Sequence, residues 1–299
     1  IDPPSPHCSI SPPRRSTGFV CIAVLLLSTV AAMGQRPSPT PWHLTWSDEF
    51  NGPTASAPDP TKWSFETGGD GHGNNELETY TSRPVNVEQK DGNLVITARK
   101  EDYTGIDGIA RHYTSGRIRT LGHFAQKYGR FEASIKLPAG KGVWPAFWLL
   151  GDNVGAVGWP KCGEIDILET IGAPSTMYST LHGPAYSGDH AISAKFELPP
   201  GEAVDTGFHT YAVEWAPNDI KFFFDDHLIT ERTPADLPHG STWVYDHPFF
   251  IILNLAIGGN WPGSPDKTTA FPQQMFVNYI RVYNKSLPKV AAASVRKEP

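Results

Sequence analysis

The stretch Cys162–Thr170, Cys-Gly-Glu-Ile-Asp-Ile-Leu-Glu-Thr, brings three acids within six positions. The β-branched residues between the acids, with a glycine shortly before and another after, predict a strand rather than a helix. Side chains alternate between the two faces of a strand, so Glu164 and Asp166 share one face and Glu169 falls on the other. A helix does no better, because it places Glu164 and Glu169 about 140° apart.

A β-bulge, one extra residue near Ile167 or Leu168, would return Glu169 to the face of the other two acids, and we predict such a bulge. Carboxyl groups crowded on one face repel one another, so the pKa of at least one of them is expected to be raised. Hydrolysis of a glycosidic bond requires one ionised nucleophile and one protonated acid, which two carboxyls of unequal pKa supply. On these residues alone, a solvated acidic strand or a calcium site is the alternative.

The hexapeptide Glu-Ile-Asp-Ile-Leu-Glu resembles the signature of glycoside hydrolase family 16, in the bulged form typical of its laminarinase-like endo-β-1,3-glucanases. Lichenases and xyloglucan-active members of that family lack the extra residue. The resemblance implies retaining hydrolysis, with Glu164 as the nucleophile and Glu169 as the acid/base. Asp166 would lie between them and tune their protonation.

The resemblance extends from Leu44 to Tyr283, and its landmarks follow one another in the family's order. Each landmark is weak alone, but the ordered set is specific. The loop at 73–80 matches Gly-Asn-x-Glu-x-Gln-x-Tyr except that Glu78 stands where Gln is commoner, so its role stays open. The other landmarks are Trp46–Phe50, Ser115–Ile118, Trp144–Trp148, Leu181–Gly183, Val213–Trp215 and Gly258–Gly263.

Aromatic side chains near the acids suit a sugar substrate, because sugars present apolar CH faces as well as hydroxyl groups. Trp144 and Trp148 are four positions apart, so the alternation of a strand places both on the same face. We favour Trp144 and Trp261 as the flat surfaces on which a sugar ring would stack. For any of these rings, packing in the core is the alternative. Trp215 is expected in the core or in the cleft wall.

Polar residues complete the expected cleft. By resemblance, Asn75 and Arg117 would bind sugar hydroxyls in neighbouring subsites, and Asn260 lies in a matching loop. Arg117 would also lower the pKa of a nearby carboxylate and so keep Glu164 ionised, unless it forms an ordinary surface ion pair. The family places a histidine on the strand beside the acids, and His182 is that residue, with either a supporting or a purely structural role.

Catalysis by these residues requires no cofactor, and the histidines show no paired zinc spacing. The resemblance is compatible with a structural calcium on the convex side of the fold. Glu49 of the opening strand would be one ligand, and the final strand offers Asn278 where the family has Asp. An amide oxygen carries no negative charge, so the affinity for calcium should be lower.

Strand signals recur along the chain and long helical periodicity is almost absent. The clearest strands are predicted at Asn93–Arg99, Tyr128–Leu137, His209–Ala216, Ile220–Asp225, Phe249–Ala256 and Met275–Asn284, with a hairpin turn at 217–219. Many short strands joined by turns predict an all-β sandwich or barrel. The resemblance narrows this to a concanavalin-like β-jelly-roll sandwich with a concave substrate cleft.

The chain of 299 residues has a formal net charge of −6, which argues against nucleic acid and anionic membranes as partners. An uncharged polysaccharide is compatible with that charge. The three cysteines include two near the N-terminus, which leaves Cys162 alone in the predicted mature chain. A disulfide within that part is therefore excluded, and Cys162 is expected to be a small buried hydrophobe.

The N-terminus has the layout of a secretory signal peptide. Arg14 and Arg15 precede the apolar run Gly18–Val30, and small residues at 32–34 offer a cleavage site before Gln35. The apolar run is short for a membrane span, although an uncleaved anchor is the alternative. We therefore expect a leader at 1–34, a linker at 35–41, a catalytic domain at 42–286 and a disordered tail at 287–299.

The sequence thus predicts a secreted enzyme, extracellular or periplasmic, that acts as a monomer and without membrane contact after signal cleavage. Its expected reaction is endo-acting, retaining hydrolysis of laminarin-type β-1,3-glucan by double displacement. Mixed-linkage β-1,3-1,4-glucan is the nearer alternative substrate, and a galactan a more distant one. A non-catalytic β-glucan-binding protein is the alternative from another class, but such relatives typically lose one of the acids.

Overall fold

The computed structural model describes residues 41–285, and strands account for most of its regular structure. The strands are β1 Trp42–Asp48, β2 Ser64–Phe65, β3 Glu78–Tyr80, β4 Val87–Lys90, β5 Asn93–Thr104, β6 Ala110–Ser115, β7 Arg117–Arg119, β8 Gly129–Lys136, β9 Val143–Gly151, β10 Glu164–Glu169, β11 Thr176–His182, β12 Ile192–Glu197, β13 His209–Ala216, β14 Asp219–Phe224, β15 His227–Arg232, β16 Phe249–Ile257 and β17 Gln273–Lys285. One short helix, α1 Val154–Val157, and two 3-10 turns, Gly188–His190 and Pro234–Asp236, complete the elements.

The strands of this part of the chain form two sheets. The larger has ten strands in the order β15-β14-β13-β8-β17-β5-β6-β3, with β1 added beside β17 and β4 beside β5. The smaller has seven strands in the order β12-β11-β10-β9-β16-β7-β2. Neighbours in sequence are often not neighbours in the sheets, and this topology confirms the predicted jelly-roll sandwich.

The predicted strands are confirmed, with ends that differ by a few residues. In β8, Phe131, Ala133 and Ile135 are fully buried while Glu132 and Ser134 are half-buried, as strict alternation predicts for a sheet with one face on the core. The hairpin of β13 and β14 pairs Ala216 with Asp219, so its turn has two central residues.

The hydrophobic core fills the space between the sheets. Strand β16 is buried along its whole length because β9 and β7 flank it and it lies in the middle of the smaller sheet. Trp215 is one of the largest core side chains, and its ring lies edge-on to Phe249 at 5.1 Å. Its Nε1 donates to the carbonyl oxygen of Tyr245 at 3.0 Å, so burial leaves no unpaired donor. Cys162 is a free, fully buried thiol, as expected.

None of the helices in residues 41–285 combines the length and the apolar character needed to cross a membrane. The predicted leader at 1–34 lies outside the described residues, as do most of the linker and the tail at 287–299.

Replacing Trp215 by alanine should destabilise the fold by about 3–5 kcal/mol, because the substitution empties a large core position and leaves the Tyr245 carbonyl unpaired. Chemical denaturation followed by tryptophan fluorescence would measure this. Leu228→Ala is the control, since that side chain is 53% exposed and its loss should change stability by about 0.5 kcal/mol at most. Equal losses in the two variants would contradict the assignment of Trp215 to the core.

Candidate active site

Strand β10 carries the predicted bulge. Along its pairing with β9, Asp166 lies opposite Trp148 and Leu168 opposite Phe147, so Ile167 has no partner. The pairing with β11 shifts in the same place, between Asp166 and Glu169. One unpaired residue reverses the alternation that follows it, and this is how Glu169 reaches the face that holds the other two acids. The sequence prediction of the bulge is confirmed.

Glu169 lies at the end of β10 and is 8% exposed. The indole of Trp144 on β9 donates from Nε1 to Glu169 Oε1 at 2.9 Å. Burial raises the pKa of Glu169 well above its usual range, and the negative charge of Asp166 raises it further. His182 and the Trp144 hydrogen bond act in the opposite direction, but they do not cancel the effect of burial. Glu169 is therefore suited to hold a proton near neutral pH.

Glu164 begins β10 and is half-buried. Its Oε2 accepts a hydrogen bond at 2.7 Å from the indole Nε1 of Trp159, a side chain that is itself 50% exposed. Its Oε1 lies 3.7 Å from Nε2 of His182, which is directly opposite Glu164 on β11. One oxygen of Glu164 is thus fixed by an indole while the other faces an imidazole.

Asp166 is 3% exposed and lies between the two glutamates in sequence. Burial raises the pKa of Asp166 well above its usual range, and the charge and the hydrogen bond of Glu164 add to that effect. Its Oδ2 is 3.1 Å from Nε2 of His182, but the two atoms are not aligned for a hydrogen bond. The expectation that crowding raises at least one carboxyl pKa is met by both Asp166 and Glu169.

An aromatic wall stands beside Glu169. Trp261 is 41% exposed and lies edge-on to Trp144, with ring centroids 5.7 Å apart. Tyr178, opposite Glu169 on β11, lies edge-on to Trp261 at 4.8 Å. The backbone of Gly259 approaches so closely that an added Cβ would lie 3.3 Å from the Trp144 ring, and its φ of +113° also favours glycine. Trp144 and Trp261 therefore form one half-exposed apolar surface next to the acid.

Asn75 and Asn260 lie on two loops that meet above the end of β16. The Nδ2 of Asn75 donates to Oδ1 of Asn260 at 2.9 Å. Both side chains are exposed. The Oδ1 of Asn75 and the Nδ2 of Asn260 remain available to another partner. The sequence analysis expected each of them in the cleft but did not predict that they bond to each other.

Arg117 differs from its expected placement. Its guanidinium forms an ion pair with Glu66 rather than with Glu164, and Arg119 Nη1 binds the other oxygen of Glu66 at 2.7 Å. The Arg117 guanidinium also lies 5.0 Å from the ring centroid of Trp148. The guanidinium is therefore paired with Glu66, a loop residue that the sequence analysis did not single out, and not with Glu164 as expected.

Trp148 shares a face of β9 with Trp144, as predicted, and both side chains are half-buried. Its Nε1 donates to Oδ1 of Asn254 at 2.8 Å. Contacts with Asn254 and Arg117 thus hold the ring in place. Trp148 therefore lies at the base of the expected cleft and is less free than Trp144 or Trp261 to stack on a sugar. Trp215 is in the core, one of the two placements expected for it.

The sequence analysis did not include Tyr178 or Trp159 among the site residues. Tyr178 lies four residues before His182 on β11, so the alternation of that strand could have placed both side chains on the same face. Trp159 lies in the connection before β10, and only its short distance in sequence from Glu164 marked it. For the loop residue Glu66 the sequence carried no comparable signal.

The residues expected to hold calcium do not fit a calcium site. Both oxygens of Glu49 accept hydrogen bonds from Arg281, at 3.0 and 2.8 Å. The amide of Asn278 donates to the carbonyl oxygen of Gly92 and to Oδ1 of Asn93, each at 3.3 Å. The Glu49 carboxylate is thus neutralised by a guanidinium, and a cation there would have to displace Arg281.

Within residues 41–285, one group of acid and histidine side chains has atoms close enough together to hold a metal ion. It comprises Glu164, Asp166 and His182, whose atoms lie within 4.8 Å of one another. They belong to the acidic cluster of β10 and β11 already described.

The molecule is an all-β sandwich, and one sheet face carries paired carboxyl groups among indole rings. This arrangement is that of a glycoside hydrolase. The sequence pattern described as "Glycosyl hydrolases family 16" matches residues 74–281. The chain belongs to this family. The resemblance stated on the hexapeptide and its ordered landmarks is thereby confirmed.

Several characterised proteins are similar along most of the chain. A beta-glucanase of Rhodothermus marinus is 39% identical over 282 residues, which cover 90% of this chain and 94% of that protein. The catalytic domain of an endo-1,3-beta-glucanase (laminarinase) from Thermotoga petrophila is 46% identical, with a TM-score of 0.78 over 83% of this chain and 100% of that domain. An endo-beta-1,3-glucanase from Pyrococcus furiosus is 45% identical, also with a TM-score of 0.78, over 82% of this chain and 95% of that one.

Removing the indole donor to Glu169 should raise the pKa of that carboxyl further. The Trp144 hydrogen bond favours the ionised form, so Trp144→Phe should move the pKa of Glu169 upward. A ¹³C NMR titration of glutamate side-chain carboxyls would follow it. Trp148→Phe is the matched control on the same strand face, because its indole binds Asn254 instead. Equal shifts in both variants would contradict the role given to the Trp144 donor.

Proposed function

We propose that this chain is an endo-acting β-1,3-glucanase that hydrolyses its substrate with retention of the anomeric configuration. The observation that carries the proposal is the bulge at Ile167, because it brings Glu169, whose pKa is raised by burial, to the sheet face that holds Glu164. The three similar proteins named above are a beta-glucanase and two endo-1,3-beta-glucanases, which supports a β-1,3-glucan as the substrate.

In the first step Glu164 attacks the anomeric carbon through the carboxylate oxygen that is not held by Trp159. Glu169, protonated because it is buried beside other acids, gives its proton to the leaving glycosidic oxygen. The bond between the anomeric carbon and that oxygen breaks as the bond to Glu164 forms. The product is a glycosyl ester on Glu164 and a free reducing-end fragment.

In the second step Glu169, now ionised, takes a proton from a water molecule, and that water attacks the anomeric carbon of the glycosyl ester. The carboxylate of Glu164 leaves, and Glu169 regains its proton. Two inversions at the same carbon give net retention. A single carboxyl group thus serves as acid and then as base, which requires a pKa near the working pH.

Asp166 supports this cycle as a neutral acid. Its raised pKa and its hydrogen bond with Glu164 fit a proton that Asp166 donates to the Glu164 carboxylate. Such a donor stabilises the ionised nucleophile without placing a second negative charge against it. Nε2 of His182 lies within 4 Å of both Glu164 and Asp166 and can stabilise a negative charge on either carboxyl.

The cleft suits an uncharged glucan. Trp261 and Trp144 offer apolar surface for the CH faces of a sugar ring on the Glu169 side, and Trp159 offers more on the Glu164 side. Asn75 and Asn260 add amide groups that can bind hydroxyls. The signal-peptide pattern at 1–34 supports secretion of the enzyme to meet an extracellular polysaccharide.

Replacing either glutamate by glutamine should abolish reducing-sugar release from laminarin. We expect a decrease of about 100-fold to 10,000-fold in kcat for Glu169→Gln and at least as large a decrease for Glu164→Gln. Glu202→Gln, which changes an exposed carboxyl in a turn, should keep wild-type activity. Release from barley mixed-linkage glucan but not from laminarin would reassign the substrate. Binding to insoluble β-1,3-glucan with no release from any glucan would instead indicate a binding protein.

The first product formed should be the β-anomer. Early proton NMR spectra, recorded before mutarotation, distinguish the anomers of the new reducing end. Initial release of the α-anomer would contradict double displacement and leave Glu164 without the role of nucleophile.

A further inference from the structure

A second pair of carboxyl groups lies beneath the cleft, away from the reacting acids. Glu76 is 3% exposed and Glu78, at the start of β3, is completely buried. Two buried carboxylates side by side would carry an uncompensated negative charge in a low-dielectric environment. A charge of that kind is costly, so one proton is expected on the pair.

The hydrogen bonds show which carboxyl holds the proton. Glu78 Oε2 accepts the backbone N–H of Ile257 at 2.7 Å, whereas Glu78 Oε1 has no donor among the described residues. Glu76 is the carboxyl whose charge and hydrogen bond act on Glu78. A proton on Glu78 Oε1 directed at Glu76 would give that buried oxygen a partner.

Both oxygens of Glu76 already accept hydrogen bonds. Its Oε2 accepts the hydroxyl proton of Tyr80 at 2.9 Å, and its Oε1 accepts the amide of Asn74 at 3.3 Å. Arg117 also contributes a positive charge that reaches Glu76. A carboxylate with two donors and a nearby guanidinium is a good acceptor for a third donor.

The pair lies where two cleft loops are joined. The loop at 71–77 and the loop at 257–263 are linked by backbone hydrogen bonds of 2.8 Å from Leu77 N to the Ile257 carbonyl and from Asn260 N to the Asn74 carbonyl. The bond from Ile257 N–H to Glu78 adds a third link. These loops carry Asn75, Asn260 and Trp261, so the position of the amide groups and of one indole depends on the junction.

We propose that Glu78 is a neutral carboxylic acid that shares its proton with Glu76 while its other oxygen holds the N–H of Ile257, so that it joins these two loops as a positioning residue for the substrate cleft. The effect on substrate binding rests on the glucanase function proposed above. A glutamine at this position would be neutral at every pH. Glu78 reproduces its donor and acceptor pattern only while it keeps its proton.

This dependence on protonation makes the junction sensitive to pH. Burial raises the pKa of Glu78 well above its usual range, and the charge of Glu76 adds to the effect. The other titratable groups around the pair are His72 on the loop at 71–77, Tyr80 on β3, Arg117 on β7, and Tyr113, the register partner of Glu78 on β6. Loss of the proton at high pH would leave two buried carboxylates opposed and weaken the link between the loops.

The same shift predicts how stability changes with pH. The unfolded chain ionises Glu78 near its ordinary pKa of about 4.3, whereas the folded chain keeps the proton to higher pH. The contribution of the protonated carboxyl is therefore fully present below about pH 4.3 and is lost as the pH rises through the folded-state pKa. Gln at the same position carries no such dependence.

The test compares wild type, Glu78→Gln and Glu202→Gln, with melting temperatures and with kinetics on laminarin at several pH values. Glu78→Gln should melt several degrees above wild type at pH 8 and show a smaller difference at pH 4. The wild-type KM should rise about fivefold at alkaline pH with little change in kcat beyond that shared by both variants, whereas the KM of Glu78→Gln should stay constant. Glu202→Gln should follow wild type throughout.

Each outcome decides a separate point. A melting-temperature difference between Glu78→Gln and wild type that does not change with pH would show that Glu78 is not protonated by the fold, and would overturn the proposal. A pH-dependent difference in melting temperature with identical KM profiles would remove its role in positioning the cleft. If wild type releases no sugar from any glucan, the glucanase proposal fails, but the melting temperatures still test the protonation of Glu78.

Discussion

The arrangement of the active site depends on the pairing of β10 between β9 and β11, with Ile167 left out of the register. Both neighbouring strands fix the position of β10, so the unpaired residue cannot be absorbed by a slip of the whole strand without moving buried side chains to the wrong face. The same pairing supplies the surroundings of the acids. Strand β9 brings Trp144, and β11 brings His182 and Tyr178, each at the level of the carboxyl that it contacts or faces.

Neutral donors hold the two carboxyls that are proposed to react. Glu164 and Glu169 each accept a hydrogen bond from an indole, and the nearby guanidinium of Arg117 is paired with Glu66. A guanidinium against Glu169 would favour its ionised form strongly and remove the proton that acid catalysis needs. An indole orients the carboxyl with a much weaker effect on its charge. Burial, whose effect on the pKa of Glu169 is the largest, can therefore keep the group protonated.

Much of this arrangement was predictable from local patterns. Alternation in single strands predicted β8, the β13–β14 hairpin and the shared face of Trp144 and Trp148, and the failure of alternation at 164–169 predicted the bulge. Partners distant in sequence were not predictable in the same way. The pairing of Arg117 with Glu66 and of Glu49 with Arg281 depends on which loops and strand ends meet in three dimensions, and the charges alone allowed several partners.

The bulge also affects how sequences of this kind should be compared. A strand one residue shorter, with the acids at strict two-residue intervals, would present the same carboxyl groups on the same face without any irregularity. Chains with and without Ile167 can thus share one arrangement of reacting groups although their motifs differ in length. An alignment that forbids a gap between Asp166 and Glu169 would then set Leu168 against the last acid of the shorter chain and leave Glu169 without its counterpart. The correct alignment places a single-residue insertion inside the motif itself, where a gap is usually penalised most.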